Sequence, residues 1–393
     1  MAALARVAIV GTTDVDARME LIRSLSDEFE ISVLGSSESL AAKFASEGID
    51  YTTYTLTRRA NPILDLYSLV QLFWIFRRLR PALVHTFDTK PSVWARIAAR
   101  LAGVQVVIGT LPGLGSLYAS ESFLSRVLRS AYELLQKAAC QVSDLTIFQN
   151  QDDARQLVEN GVVSEAKAMV IPGSGVATAV FARDRVPAAA RDELRRELGL
   201  QSDELVVTMV SRIIRSKGVL EFAAAARQMR NLLSNLRFLL VGPEDAESLD
   251  RLHPAELEEL GQAVTWLGAR QDVPRILAIS DVFVLPSAYR EGIPRVLLEA
   301  ISMGLPVITT DSPGCNEVVE HGSNGFLIQV GDVPALEDAI LRLAGDAALR
   351  QRFGEISRQL AVERFDLSVI AAQTRAVYEE MLSREILASP AGS

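Results

Sequence analysis

The sequence predicts an α/β fold of two Rossmann-like, doubly wound domains. Three observations carry that prediction. Short β-rich runs alternate with longer amphipathic stretches, the pattern of parallel strands joined by covering helices. At 393 residues the chain exceeds what one ordinary core holds. The alternating scheme also appears twice, once in each half.

In the first half the strands are "VAIVG" from Val7, "ISVLG" from Ile31, "ALVHTF" from Ala82, "VQVVIGT" from Val104 and "LTIFQN" from Leu145. After "AMVIPGSGV" the pattern loosens through "ATAVFARDRVPAAA", where a linker belongs. The second half resumes with "LVVTMVSR" from Leu205, "LRFLLVGP" from Leu236, "VTWLG" from Val264, "DVFVLPS" from Asp281, "LPVITTD" from Leu305 and "GFLIQV" from Gly325. The expected division is a first domain over 1–171, a linker over 172–186, a second domain over 187–365, and a C-terminal helix with a loose tail over 366–393, the helix packing back on the first domain. Open sheets of this kind bind ligands beyond the carboxyl ends of their strands, so a cleft between the domains is where a ligand is expected.

Composition narrows the class. The chain is 49% hydrophobic and 23% charged with net charge -9, which disfavours nucleic acid as the main partner. Two cysteines, Cys140 and Cys315, make no disulfide framework and fit a reducing interior. The opening "MAALARVAIVGTTD" reads as a first strand rather than a signal peptide, and no uncharged apolar run reaches the length of a spanning helix. Yet residues 58–137 hold 11 Lys and Arg against 4 Asp and Glu. Within that region "LVQLFWIFRRLRP" and "SFLSRVLRSAYELLQKAA" pair bulky apolar residues with cations, a pattern equally suited to core-facing helices and to helices on a bilayer surface. The charge excess favours contact with an anionic membrane surface.

Two motifs carry chemistry. In "SAYREGIPRVLLEA", Gly292 lets backbone approach a ligand, and Pro294 suits the first turn of a helix whose free amides can receive phosphate oxygens. Glu291 then lies beside whatever the phosphates carry, with Glu299 about a turn and a half into the helix, placed to accept from ribose hydroxyls. In "MVSRIIRSKGVLEF", a strand ends at Arg212 and Lys217 opens the next helix; a planar donor fork and a point charge together suit a diphosphate, and Arg215 is a further cation.

Glycine-bearing loops follow several strands, at Gly11, at Gly113 and Gly115, and at Gly242. None has the dinucleotide-fingerprint spacing, which disfavours a nicotinamide enzyme. With only His85, His253 and His321, there is little material for a histidine-based metal site or triad. His85 closes an apolar strand with Asp88 and Lys90 close behind, and reads either as a site residue or as a satisfied strand-end histidine.

Together "SRIIRSKG", "TWLGARQDV", "DVFVLPSAYREGIPRVLLEA" and "GLPVITTDSPGCNEVVEHGSNGFLI" resemble glycosyltransferase family 4, which has the GT-B fold and retains anomeric configuration. The stretch "TKPSVWARIAARLAGVQVVIGTLPGLGSLY" is similar to the branch of bacterial N-acetylgalactosaminyltransferases acting on undecaprenyl-diphosphate-linked sugars and of capsule and exopolysaccharide enzymes. The resemblance implies that Arg212 and Lys217 hold the diphosphate of a UDP-sugar donor, that Gly242 is a donor-binding residue, that the Arg270 region borders the donor nucleobase, that Glu291 contacts the donor sugar, that the Gly292, Ile293 and Pro294 backbone meets the phosphates, and that Glu299 takes the ribose. It places Gly11, Arg18, His85, Lys90, Gly113 and Gly115 on the acceptor side.

The resemblance further implies a first domain for the acceptor and a second for the nucleotide-sugar, no metal or other cofactor, a lipid-linked saccharide acceptor, and a cytoplasmic location on the inner face of the membrane. A sugar-nucleotide epimerase of the same fold and a catalytically silent subunit are the competing readings.

Overall fold

The computed structural model describes residues 4–57, 61–115, 118, 123–248 and 250–388. Arg58, Arg59, Glu121, Ser122 and the tail from Ser389, all part of the stretches considered above, lie outside the described residues. The chain divides into two units, Met1–Ser174 with Leu367–Ser393, and Gly175–Asp366.

The first unit is a seven-stranded parallel sheet. Its strands are β1 (Ala5–Val10), β2 (Phe29–Gly35), β3 (Asp50–Thr53), β4 (Leu83–Thr86), β5 (Val106–Leu111), β6 (Leu145–Phe148) and β7 (Ala168–Val170), in the order β3-β2-β1-β4-β5-β6-β7. Period-two alternation assigns the two faces. Val7 and Ile9 enter a core with helix Met19–Ser26 and the C-terminal helix Leu367–Ala388, whereas Ala8 and Val10 enter a core with helices Pro62–Leu79 and Pro91–Leu101. Because both faces are covered, the central strands read as continuous apolar runs.

β3 and β7 were not expected from the sequence. Each sits at an edge, is partly exposed, and carries no long apolar run ("DYTT" and "AMV"). The C-terminal helix is fixed to this unit by Ile370 and Tyr378, both buried.

The second unit has six parallel strands: β8 (Leu205–Val210), β9 (Leu236–Val241), β10 (Thr265–Trp266), β11 (Val282–Leu285), β12 (Val307–Thr310) and β13 (Gly325–Ile328), in the order β10-β9-β8-β11-β12-β13. All six were legible as apolar runs. Residues 175–186, expected as linker, fall within this unit: Phe181 and Val186 are buried in its core, and the Val176 amide donates to the Phe365 carbonyl at 2.9 Å. In both sheets the strand order reverses beside the first strand, which leaves a crevice at the carboxyl ends of β1 and β4 and another at those of β8 and β11.

Candidate functional site

In the second unit, two loops leave the sheet at this reversal. One follows β8 and carries Arg212, Arg215 and Lys217; the other follows β11 and carries Glu291 to Pro294. They are zipped together by backbone: the amides of Ala288 and Tyr289 both donate to the Ser216 carbonyl, at 2.8 and 3.0 Å. Gly218 makes that approach possible. Its φ is +80°, and a Cβ there would lie 2.2 Å from the Pro286 carbonyl oxygen.

The zipper brings Lys217 and Glu291, 74 residues apart, into an ion pair. The Lys217 ammonium also lies 5.4 Å from the centre of the Tyr289 ring. Lys217 is buried, so this pair sits in a setting where charge acts more strongly than at an open surface. Beneath it, Gly314 allows a third loop to touch: a Cβ there would be 2.1 Å from the Gly292 carbonyl oxygen. Cys315 follows, fully buried, its thiol pushed up by burial and then by the Glu291 carboxylate.

Pro294 stands one residue earlier than expected. It is the cap residue, with extended backbone, and the helix runs over Arg295–Ser302. Gly292, Ile293 and Pro294 are all buried. Glu299 is buried within that helix and accepts from Arg295 Nε at 3.2 Å.

Gly242, after β9, has φ +141°, and a Cβ there would lie 1.8 Å from the Ser211 carbonyl oxygen. Its amide donates to the Gly268 carbonyl and its own carbonyl accepts the Trp266 indole N–H, at 2.8 and 2.9 Å. Arg270 lies on the next loop of the same rim. Its guanidinium forks onto Asp272 with two 2.8 Å bonds and reaches Glu197 at 3.2 Å. What the 270 region presents to a ligand is therefore backbone more than guanidinium. The Asp272 carboxyl is held below the usual range chiefly by Arg270.

The first unit assembles a second group where its own sheet reverses. Gly11 follows β1, its amide on the Leu34 carbonyl and its carbonyl receiving the Tyr54 hydroxyl at 2.8 Å. Arg18 Nη2 meets Asp88 Oδ1 at 2.8 Å, and the guanidinium carbon Cζ lies 4.5 Å from the centre of the Phe87 ring. The other Asp88 oxygen takes the Thr12 amide and hydroxyl, while Asp88 itself holds φ +68°, uncommon outside glycine. Lys90 is separate, paired with Asp65 at 2.7 Å. Gly113 and Gly115 follow β5 with φ of +129° and +67°.

Of its two readings, His85 takes that of the satisfied strand-end histidine, which corrects its placement among the acceptor-side residues. It is 1% exposed, with Nδ1 2.7 Å from the Tyr378 hydroxyl and Nε2 2.7 Å from the Thr110 hydroxyl. Both ring nitrogens are engaged within the unit, which leaves no polar atom of the imidazole for a ligand. Burial, with Arg18 and Arg96 nearby, lowers its pKa to about 3. Arg96, counted in the basic excess of residues 58–137, is likewise fully buried and bonds Ser92, Gln136, Thr146 and Cys140. Sequence reasoning missed Tyr378 and also Asp245, which meets Arg212 at 2.5 Å. No local signal marks either one. Among the described residues no group of three or more His, Cys, Asp or Glu side chains is placed to hold a metal.

Comparison with known proteins decides the family. Residues 6–150 match the family described as "Glycosyl transferase 4-like", and residues 190–360 match "Glycosyl transferases group 1". The chain is 32% identical over 331 residues, 82% of either chain, to the UDP-Gal:alpha-D-GlcNAc-diphosphoundecaprenol alpha-1,3-galactosyltransferase of Escherichia coli. The chain belongs to the group 1 glycosyltransferases. A second relative of this glycosyltransferase is the N,N'-diacetylbacillosaminyl-diphospho-undecaprenol alpha-1,3-N-acetylgalactosaminyltransferase of Campylobacter jejuni, at 27% identity over 93% of this chain and 95% of that one. The fold is shared with HepE from Anabaena in complex with UDP, at TM-score 0.77 and 21% identity over 95% of this chain and 100% of that one. A glycosyltransferase from Rickettsia africae gives TM-score 0.79 at 18% identity, covering 96% and 99%. The GT-B class expected from the sequence is the one observed.

Proposed function

We propose that this glycosyltransferase moves a sugar, an N-acetylhexosamine or hexose, from a UDP-sugar to a lipid-linked saccharide with retention of anomeric configuration, in the synthesis of a bacterial surface glycan. The observation that carries the donor half is the zipped pair of Lys217 and Glu291 at the strand reversal of the second unit. An ammonium there can take the diphosphate while the neighbouring carboxylate takes sugar hydroxyls. Arg212 adds a second cation, the Gly292 to Pro294 backbone lines the phosphates, and Glu299 receives the ribose. Gly242 and the backbone at Arg270 border the base.

The UDP leaving group is then stabilised by Arg212, Lys217 and the start of helix Arg295–Ser302, fixed charges and dipoles that need no reorganisation as the bond breaks. No resident metal enters this reading. Gly11, Arg18, Lys90, Gly113 and Gly115 stand on the acceptor side, while His85 is held inside the unit by Tyr378 and Thr110.

The acceptor half draws on the relatives, whose names specify diphosphoundecaprenol-linked sugars. It also draws on helix Pro62–Leu79, which exposes Ile63, Leu66, Tyr67, Val70 and Trp74, with Ile63 at 81% and Trp74 at 65%, and carries Arg77 and Arg78 in its last turn. An apolar stripe beside cations fits an anionic membrane surface, with the enzyme peripheral on its inner face. No helix among the described residues is long and apolar enough to cross a membrane. The membrane half is tested by flotation with anionic vesicles at low salt: binding is expected, with loss on pairing Ile63→Ser with Trp74→Ser, and no binding by the unsubstituted protein would end that half.

The donor is tested by thermal stability against UDP, GDP, ADP and a panel of UDP-sugars. A ligand at about a hundred times its dissociation constant adds about 2.7 kcal/mol to the native state. UDP and one UDP-sugar are expected to stabilise; a shift with GDP alone would refute the UDP assignment.

A further inference from the structure

Each cation of the loop after β8 already has a carboxylate partner. Arg212 meets Asp245, Arg215 meets Glu256, and Lys217 meets Glu291. Asp250 Oδ2 in addition accepts the Ser216 amide at 2.8 Å. Three of these four acids have other work. Asp250 and Glu256 tie down backbone, the latter accepting the His253 amide at 2.7 Å, and Glu291 belongs to the donor site proposed above.

Asp245 differs. Among the described residues the one side-chain partner of its carboxylate is Arg212, through a single bond from Nη1 to Oδ2 at 2.5 Å. It secures no part of the loop, because the two loops are joined independently. The Ile213 amide donates to the Pro243 carbonyl at 3.0 Å, and Gly242 packs against the Ser211 carbonyl. The pair is also asymmetric: the Arg212 side chain is 41% exposed and that of Asp245 13%. A single-point contact leaves Nε and Nη2 of the guanidinium with no other partner among the described residues, so an incoming anion can take Arg212 without first unfolding anything.

We infer that Asp245 is an internal counter-anion that competes with the donor diphosphate for Arg212, and so sets how loosely the nucleotide is held and how readily the product leaves. This rests on the donor reading of the preceding section. While the site is empty, Asp245 neutralises Arg212; when a nucleoside diphosphate binds, Arg212 exchanges one anion for another; and after transfer Asp245 recaptures the guanidinium as UDP departs. A retained negative charge beside the phosphates opposes their binding, and a neutral residue of the same shape does not.

The test is calorimetric titration of UDP into the full chain and three variants, Asp245→Asn, Arg212→Ala and the two combined. Asp245→Asn is expected to lower the UDP dissociation constant roughly two- to tenfold, the range for removing one largely buried member of an ion pair whose other member is partly exposed. The same substitution should yield no gain when Arg212 is Ala, which a merely structural role of Asp245 does not predict. Unchanged or weaker UDP binding in Asp245→Asn overturns the inference, and so does an equal gain in the Arg212→Ala background. Asp245→Ser is the second variant should Asp245→Asn misfold, with the ligand-free melting midpoint of each as the control. No heat with UDP in the unsubstituted protein sinks the donor reading itself, whereas binding there with no gain in the variants sinks the inference alone.

Discussion

His85 provides the most quantitative test. Its imidazole is buried between the hydroxyls of Tyr378 and Thr110, and burial followed by the charges of Arg18 and Arg96 lowers its pKa to about 3 against an ordinary 6.5. The native ring is therefore still neutral over a range of pH in which the unfolded ring is charged. Between about pH 3 and 6.5 the unfolded chain binds the proton and the native one does not, so stability rises with pH across that window. The contribution is complete above pH 6.5 and is lost as pH falls. At about 1.4 kcal/mol for each pH unit, roughly 3 kcal/mol goes by pH 4.5, and the loss is capped near 5 kcal/mol. Two measurements check it. With three histidines in the chain, NMR of isotope-labelled imidazoles can follow each ring, and the His85 signal should hold its neutral position down to about pH 4.5. Urea denaturation of His85→Gln, which keeps a donor and an acceptor but no titration, should show a shallower fall in stability over the same range. A His85 ring titrating near 6.5, or equal pH slopes for the two proteins, would refute the reasoning and return His85 to the ligand-facing role.

Lys217→Ala removes the buried ammonium facing Glu291 and should cut turnover with UDP-sugar by about two orders of magnitude or more; a steady-state rate within a few fold of the unsubstituted enzyme would remove the diphosphate assignment. Gly242→Ala must hold φ near +141° against the Ser211 carbonyl, at a cost of about 1–3 kcal/mol for backbone conformation alone. It should lower the melting midpoint and abolish stabilisation by UDP, and normal UDP stabilisation would show that this rim does not border the nucleotide.

Much of this enzyme was legible locally. The central strands of the second unit announce themselves as largely apolar runs, because a strand covered on both faces has few polar positions to spare. The rim residues Arg212, Lys217, Glu291 and Gly292 follow those strands directly, so locating the strands located the loops. What failed had no local signal. β3 and β7 are short edges with mixed exposure, and they carry no run to detect. Residues 175–186 looked like linker by composition, yet Phe181 and Val186 supply core contacts that only the folded unit reveals.

Tertiary structure alone decided which charges face which. Lys217 finds Glu291 across 74 residues and Arg212 finds Asp245 across 33, and neither spacing has a periodicity to read. His85 was open to a ligand-facing or a satisfied strand-end reading until a helix 293 residues away placed Tyr378 against it. Arg96 counted as surface charge until four partners took it inside. The sequence by itself determined the two sheets, their family and the rim on which a donor sits, because hydrophobic patterning and strand-end glycines are short-range signals. Ion-pair partners, burial and protonation belong to the fold, because each depends on groups distant along the chain that approach only when both faces of a sheet are covered.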